Sequence, residues 1–360
     1  MEAAAQIARF EYNNIMSLHA FAQEKNIDCD LYSGDTVDVF YSAPEWKHAQ
    51  EAIAALRDAM PNELETVARY EFWTAEEARE RFCVKGEECF GAVKYQAGSL
   101  SAYRCVVGIL KLCIEKDLQF FTNTPATHLE RNNSGLWEIT TPKGVIRARK
   151  VILATNGYTA AVWPPFQSAI IPLRGQITAQ APPPNLMALP TTYSFIYQDG
   201  YEYMIPKPLH SKYPPFPGDI VIGGGTATLP DEGAGEFGIT DDSSLNPVLS
   251  AYLRNCTKRY FGDDSNDVDS GNGSAWKTRK EWTGIMGFTG DGMPFIGPVP
   301  GEEGLWVAAA FQGHGMVFCW GCAKALVKMV EGEEEGGEEF PGIFKVTEER
   351  LRVEFGGRHS

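Results

Sequence analysis

No apolar run in this 360-residue sequence approaches the roughly 20 residues that cross a bilayer, and Met1 is not followed by a charged segment and an apolar one, as in a secretory leader. The expectation is a cytoplasmic chain without a membrane partner. Positive charge is also in short supply: 47 acidic side chains against 32 basic ones leave a net charge of -15, which repels phosphate backbones and excludes nucleic acid as a partner. No disulfide framework is legible. The eight cysteines fall mostly at apolar positions with irregular spacing, Cys105 and Cys113 on one helical stripe, as reduced core thiols do. Gly357-Arg358-His359-Ser360 is no recognisable organelle address, no internal repeat is present, and no metal site is expected. What the sequence does have is 44% hydrophobic residues over a length that supplies core for two domains.

Hydrophobic periodicity predicts helices over Glu2–Lys25, Glu45–Asp58, Ala75–Phe82, Leu100–Lys116, Ser243–Tyr260 and Gly315–Val330. A strand is expected at Thr36–Tyr41. From Leu118 the period changes to two, and the segments Gln119–Thr122, Ala126–Leu129, Leu136–Thr140 and Gly144–Arg147 read as a β-meander with turns at Asn132–Gly135 and Pro142–Gly144. The unbroken apolar run Lys150–Thr155 reads as a strand buried on both faces that ends at Asn156-Gly157, a place where ligands often bind. Strand formers between Ile170 and Gly225 predict a second, antiparallel sheet, with further strands at Trp276–Gly287 and Leu305–Ala310. Gly262–Gly273 is expected as a polar loop and Glu331–Glu339 as a solvated acidic linker. The fold class is thus mixed α/β.

Two stretches carry a family resemblance. One is Val151-Ile152-Leu153-Ala154-Thr155-Asn156-Gly157, with Ile171-Pro172-Leu173-Arg174-Gly175-Gln176 after it. The other runs from Trp282 through Asp291-Gly292-Met293-Pro294 to Phe311-Gln312-Gly313-His314-Gly315-Met316. Together they resemble the D-amino-acid oxidase family of FAD-dependent oxidoreductases, which includes glycine oxidase and sarcosine oxidase. The resemblance implies an FAD-binding Rossmann-like domain with a β-meander (1–35, 93–165, 275–345) and an antiparallel-sheet substrate domain (36–92, 166–274). It implies a small-molecule amine or amino-acid substrate, oxidised at its C–N bond with a hydride equivalent passing to the flavin. Expected cofactor contacts are Ala126, Ala154, Thr155, Asn156, Gly287, Asp291, Gly313, His314, Gly315 and Met316; the expected substrate face is Arg174, Tyr203 and Trp282. The physical ground for the last cofactor group is that a glycine turn entering a helix presents free N–H groups and a positive dipole end, suited to charge growing on a reduced flavin.

The sequence departs from that pattern in three ways. The strand, Gly-x-Gly-x-x-Gly turn and helix that hold an ADP moiety are missing; Gly233-Ala234-Gly235-Glu236-Phe237-Gly238 has the spacing by chance, with no apolar strand ahead of it. The reading is therefore of an enzyme lacking its N-terminal βαβ unit, with coding sequence for it expected upstream of Met1. Thr283-Gly284-Ile285 stands where sarcosine-oxidase-like members attach flavin through cysteine, so FAD is expected to be non-covalent. No lysine lies on Asp219–Gly225, where those members carry one thought to assist oxygen. Two alternatives stay open: a truncated, non-enzymatic remnant that no longer holds FAD, and an amine-binding module without redox chemistry. Cys319 and Cys322, at i and i+3 on a helix, are expected to be core packing and not a redox pair.

Overall fold

Local chemistry sets the element boundaries. In the computed structural model, which describes residues 1–85, 89–184, 186–214, 216–262, 275–333 and 335–356, the chain opens with α1 (Glu2–Glu24), β1 (Tyr32–Phe40), α2 (Ala43–Ala59), β2 (Tyr70–Thr74), α3 (Ala75–Arg81), β3 (Gly91–Ser99) and α4 (Ala102–Ile114). There follow β4 (His128–Arg131), β5 (Trp137–Thr141), β6 (Gly144–Ala148), β7 (Val151–Leu153), α5 (Thr159–Val162), β8 (Ile171–Ala181), β9 (Thr192–Tyr197), β10 (Gly200–Pro206) and β11 (Ile220–Gly224). The last elements are α6 (Pro247–Phe261), β12 (Lys277–Phe288), β13 (Phe295–Pro298), β14 (Leu305–Ala309), α7 (Gly315–Glu331) and α8 (Glu348–Leu351). Thr74 starts α3 through a reciprocal capping box with Glu77. Asn246 caps α6 by accepting from the Val248 and Leu249 amides, Pro247 fits the first turn, and Gly262 at φ +81° ends it.

Eight strands form one sheet in the order β12-β8-β11-β10-β9-β1-β3-β2, antiparallel throughout except between β1 and β9. A smaller sheet has the order β13-β14-β7, with β7 parallel to β14 and at the edge among the described residues. The third sheet is the meander β4-β5-β6. One face of the large sheet presents Val37, Val39, Tyr193, Phe195, Met204, Ile220 and Ile222, packed against Leu253, Cys256, Tyr260 and Phe261 of α6. A second core joins Trp137, Leu153, Phe295, Leu305 and Val307 of the smaller sheets.

Two expectations need correction, and one strand was not anticipated. Gln119–Thr122 is not a strand; Phe120 and Phe121 are exposed, and the meander has three strands, not four. β3 was not legible, because Gly91, Ala92, Ala97 and Gly98 weaken its strand signal, yet it pairs with β1 along its whole length. Residues 93–99 and 277–288 hydrogen-bond within the eight-stranded sheet as parts of β3 and β12. The strand at Lys150–Thr155 is only Val151–Leu153, and Ile152 is half exposed where a doubly buried strand was expected. All but Gly262 of the expected polar loop, Glu334 of the acidic linker and the last four residues lie outside the described residues. No described helix is long and apolar enough to cross a membrane.

Candidate functional site

The face of the large sheet that α6 does not cover is built by strand alternation. Register pairs Asp38 with Ser194, Ser194 with Tyr203, Tyr203 with Gly223, Gly223 with Ile177 and Ile177 with Trp282. Paired residues point to the same side, so these six positions share one row, five of them with side chains. Tyr203 leans across Gly223, where an added Cβ would meet the phenol oxygen at 2.5 Å. Two positions earlier on β1, and so on the same face, Thr36 is paired with Tyr95 and Thr192.

Against this face stand α1 and the start of α7. Between them lies a cavity of about 440 Å³ lined by Glu11 and Tyr12 of α1, by Tyr95, Ser194 and Tyr203 of the sheet, and by His314 and Val317. The two helices are locked together by Asn14, a buried side chain that donates to the Met316 carbonyl (3.1 Å) and accepts from the Gly321 amide (2.7 Å). Phe10 packs where a side chain at Gly321 would have to go.

The turn entering α7 is held from three sides. Asn156 Oδ1, just beyond β7, accepts from the Ala310 and Phe311 amides at 3.0 and 3.3 Å. The Gln312 amide donates to the Gly287 carbonyl at 3.0 Å. Its side-chain amide donates to Thr289 Oγ1 (2.8 Å) and to the Ala310 carbonyl (3.0 Å). A side chain at Gly287 would lie 2.9 Å from the Gly157 amide nitrogen and 3.0 Å from Asn156 Oδ1. These bonds hold Asn156, Ala310, Gln312 and Gly313 at φ of +45°, +60°, +54° and +78°, a conformation that costs non-glycine residues on the order of 1 kcal/mol each. Unlike α3 and α6, α7 has no side-chain cap. Its first amides and positive dipole end therefore remain available beside the cavity. His314 Nδ1 lies 3.0 Å from the Gln312 carbonyl; a carbonyl only accepts, so Nδ1 carries the hydrogen and Nε2 of the neutral ring is left as an acceptor.

Burial pushes the Asp38 carboxyl up to about 6, partly offset by hydrogen bonds from Ser194 and Tyr95. It also raises Glu11, with His314 drawing that carboxyl part of the way back. Tyr203 is pushed up to about 12 by burial and is a neutral phenol at physiological pH.

Of the expected cofactor contacts, Asn156, Gly287, Gly313, His314, Gly315 and Met316 converge on this turn, with Ala154 and Thr155 leading into it. Ala126 lies in the loop before β4, on the meander. Asp291 is committed elsewhere: Arg350 grips both its oxygens at 2.6 and 2.9 Å, and Thr289 and the Met293 amide also donate to it. Burial opposes its ionisation, but Arg350 prevails and holds the carboxyl below its ordinary value. Tyr203 and Trp282 share the open row. Arg174 does not: it points to the α6 side, bonded to Glu236 at 2.7 and 3.2 Å and to Ser244 at 2.9 Å. The expectation that it faces substrate is corrected by strand alternation. Gly233–Gly238 lies in short 3₁₀ turns after Leu229, with no strand running into it. All eight cysteines are free thiols, Cys322 buried and Cys319 exposed. Sequence reasoning missed Asp38, Tyr95, Ser194 and Glu11, and gave Gln312 no contact of its own within the turn it marked; the one signal for Asp38 was an acid placed between Val37 and Val39 in an apolar strand.

A large, mostly antiparallel sheet thus stands over a glycine turn that is fed by a parallel strand and leads into a helix. The chain belongs to the FAD dependent oxidoreductase (DAO) family, whose sequence pattern matches residues 2–329. It is 21% identical over 224 residues to the glycine oxidase of Pseudomonas aeruginosa, in an alignment covering 61% of this chain and 51% of that protein. The chain thus spans about half the length of that curated relative. Its fold is shared with the crystal structure of glycine oxidase from Geobacillus kaustophilus (TM-score 0.72, 17% identity, 96% of this chain and 82% of that one). It is shared also with L-proline dehydrogenase from P. horikoshii (TM-score 0.74, 14% identity, 96% and 83%).

Proposed function

We propose that this chain, with FAD bound non-covalently, oxidises the C–N bond of an amine or amino acid, removing a hydride equivalent from the carbon next to nitrogen and leaving an imine. The observation that carries the reading is the cavity between the open row of the large sheet and the uncapped start of α7. The names of the relatives, glycine oxidase and L-proline dehydrogenase, support it. In this reading the eight-stranded sheet is the substrate part, and the two smaller sheets with α1, α4 and α7 are the FAD-binding part.

The residues present fit the flavin ring. The α7 amides lack a capping side chain, the exposed Gly313 offers no side chain to obstruct approach, and the Asn156–Gly287–Gln312 bonds preorganise the turn. When bound, FAD supplies the two-electron acceptor for the substrate hydride. Gly315 and Met316 would hold its electron-rich edge at the helix start. Tyr203 and Trp282 would wall the substrate against the sheet and exclude water, and Tyr203, as a neutral phenol, would donate a hydrogen bond. The diphosphate end is less well served: among the described residues no strand runs into a Gly-x-Gly-x-x-Gly turn and helix.

The test is to add excess FAD to the purified chain, record the flavin bound, and add a panel of primary amines, secondary amines and amino acids without oxygen. At least one compound is expected to bleach the bound flavin, and His314→Ala to slow bleaching roughly tenfold without unfolding the chain. Bound flavin that no member of the panel bleaches would refute the proposal.

A further inference from the structure

In an α-helix the Met316 carbonyl accepts from the Trp320 amide, and the Gly321 amide donates to the Val317 carbonyl. Asn14, only 2% exposed on α1, reaches two of these groups from outside: its Nδ2 donates to the Met316 carbonyl at 3.1 Å and its Oδ1 accepts from the Gly321 amide at 2.7 Å. The approach requires Gly321, because a side chain there would lie 2.6 Å from the ring of Phe10, one turn before Asn14 on α1. The ring contacts around this point are apolar. Phe10 lies 6.4 Å from Phe318 and Phe21 lies 4.6 Å from Trp320, centre to centre. Among the described residues the two Asn14 bonds are the only hydrogen bonds that join α1 to α7. Apolar contact is non-directional and tolerates sliding, whereas a pair of bonds to one carbonyl and one amide has a single register.

We propose that Asn14 is a positioning residue: it fixes the register of α7 against α1, and through that register the placement of the Gly315 and Met316 amides toward the flavin. This rests on the reading of the α7 start as the flavin site. A slip of one residue moves a helix about 1.5 Å along its axis and turns it about 100°. The bond to the Met316 carbonyl acts within the first turn of α7, where the positive end of the dipole is felt. Asn156 and Gln312 hold the turn ahead of the helix and Asn14 holds the helix behind it, so the first amides stand between two fixed points. The same register sets the cavity wall. Glu11, three residues before Asn14, and His314, two before Met316, both line the cavity, and His314 is close enough to act on the Glu11 charge.

Asn14→Leu keeps the side-chain size and returns both backbone groups to partners within α7, so the full chain is expected to melt within a few degrees of the wild type. Phe10→Leu is the control: it thins the apolar contact of the same two helices without touching the Asn14 bonds, and is expected to lower the melting temperature. In flavin-free crystal structures superposed on α1, the start of α7 is expected to move by about 1 Å or more in Asn14→Leu and to stay in place in Phe10→Leu. With added FAD, Asn14→Leu is expected to bind flavin about tenfold more weakly. It should also lower the ratio of reduced to oxidised bound flavin about threefold at a fixed potential, read against a redox dye, while Phe10→Leu leaves that ratio unchanged. An α7 that stays in place in Asn14→Leu overturns the register claim, and an Asn14→Leu chain that melts far below the wild type makes the residue a structural support instead. A displaced α7 with unchanged flavin affinity and ratio, or an equal change in ratio in Phe10→Leu, overturns the link to the flavin. The broader proposal fails separately: a wild-type chain that takes up no flavin removes that reading and with it the link to the flavin, and the displacement of α7 then decides the register claim alone.

Discussion

Asp38 lies between Val37 and Val39, both fully buried on the α6 side of the sheet, and its own side chain turns the opposite way toward Tyr95 and Ser194. Folding raises this carboxyl to about 6, above the ~3.9 of an unfolded chain. The folded state therefore binds the proton more tightly. Its stabilising contribution is full below about pH 4 and is lost as pH rises through about 6. At pH 8 the ionised group costs on the order of 2 kcal/mol relative to its protonated form. Asp38→Asn is expected to melt several degrees above the wild type at pH 8, the gap closing toward pH 4. A gap that is constant across that range would show that no buried ionisation is involved.

At the scale of the element, the turn into α7 shows that two kinds of glycine are at work. Gly313 has φ +78°, and the nearest atom to an added Cβ is Met286 Sδ at 3.6 Å, an ordinary contact. Its requirement is backbone conformation alone. Gly287 is restricted by space: an added methyl would press on the Gly157 amide, Asn156 Oδ1 and the Ala310 Cα within 3.1 Å. Gly313→Ala is therefore expected to cost about 1–2 kcal/mol in urea unfolding. Gly287→Ala should cost about 3 kcal/mol or more, because it also displaces Asn156 from the two amides it holds. Equal costs would contradict this division. Only the second change should also weaken flavin binding severely, since it releases the whole turn.

At the scale of the whole molecule, apolar groups remain in contact with solvent around the smaller sheets. Ile152 of β7 is 48% exposed, and Phe120 and Phe121 after α4 are 51% and 58% exposed, as are Val145 and Ile146 of β6 at 49% and 45%. β7 also offers unpaired backbone along its free side among the described residues. The net charge of -15 opposes association, but salt screens that repulsion beyond about 10 Å. The chain is expected to self-associate at about ten micromolar and above in moderate salt and to bind an apolar dye, and Ile152→Lys should reduce both. Sedimentation as a monomer at those concentrations, with no dye binding, would count against an adhesive edge.

The sequence by itself determined the helices, because their apolar period and the caps at Thr74 and Asn246 are local features. It also marked the turn at Gly313 and Gly315 and carried the family resemblance, both written in contiguous residues. It did not determine β3, whose small residues form a strand only because β1 supplies nine partners in register. Nor did it determine which face a strand residue takes. Alternation divides Arg174 from Gly175 and Asp38 from Val37, but only the pairing of distant strands, with α6 on one side and α1 and α7 on the other, decided which face was core and which was cavity. Arg174 consequently lost the role expected of it and went to an ion pair with Glu236 beside α6, while the carboxyl of Asp38, of which nothing was expected, lies on the opposite face behind Tyr95. Asn156 illustrates the same limit, since its two acceptor bonds reach residues 154 and 155 positions away and exist only once β7 lies beside β14.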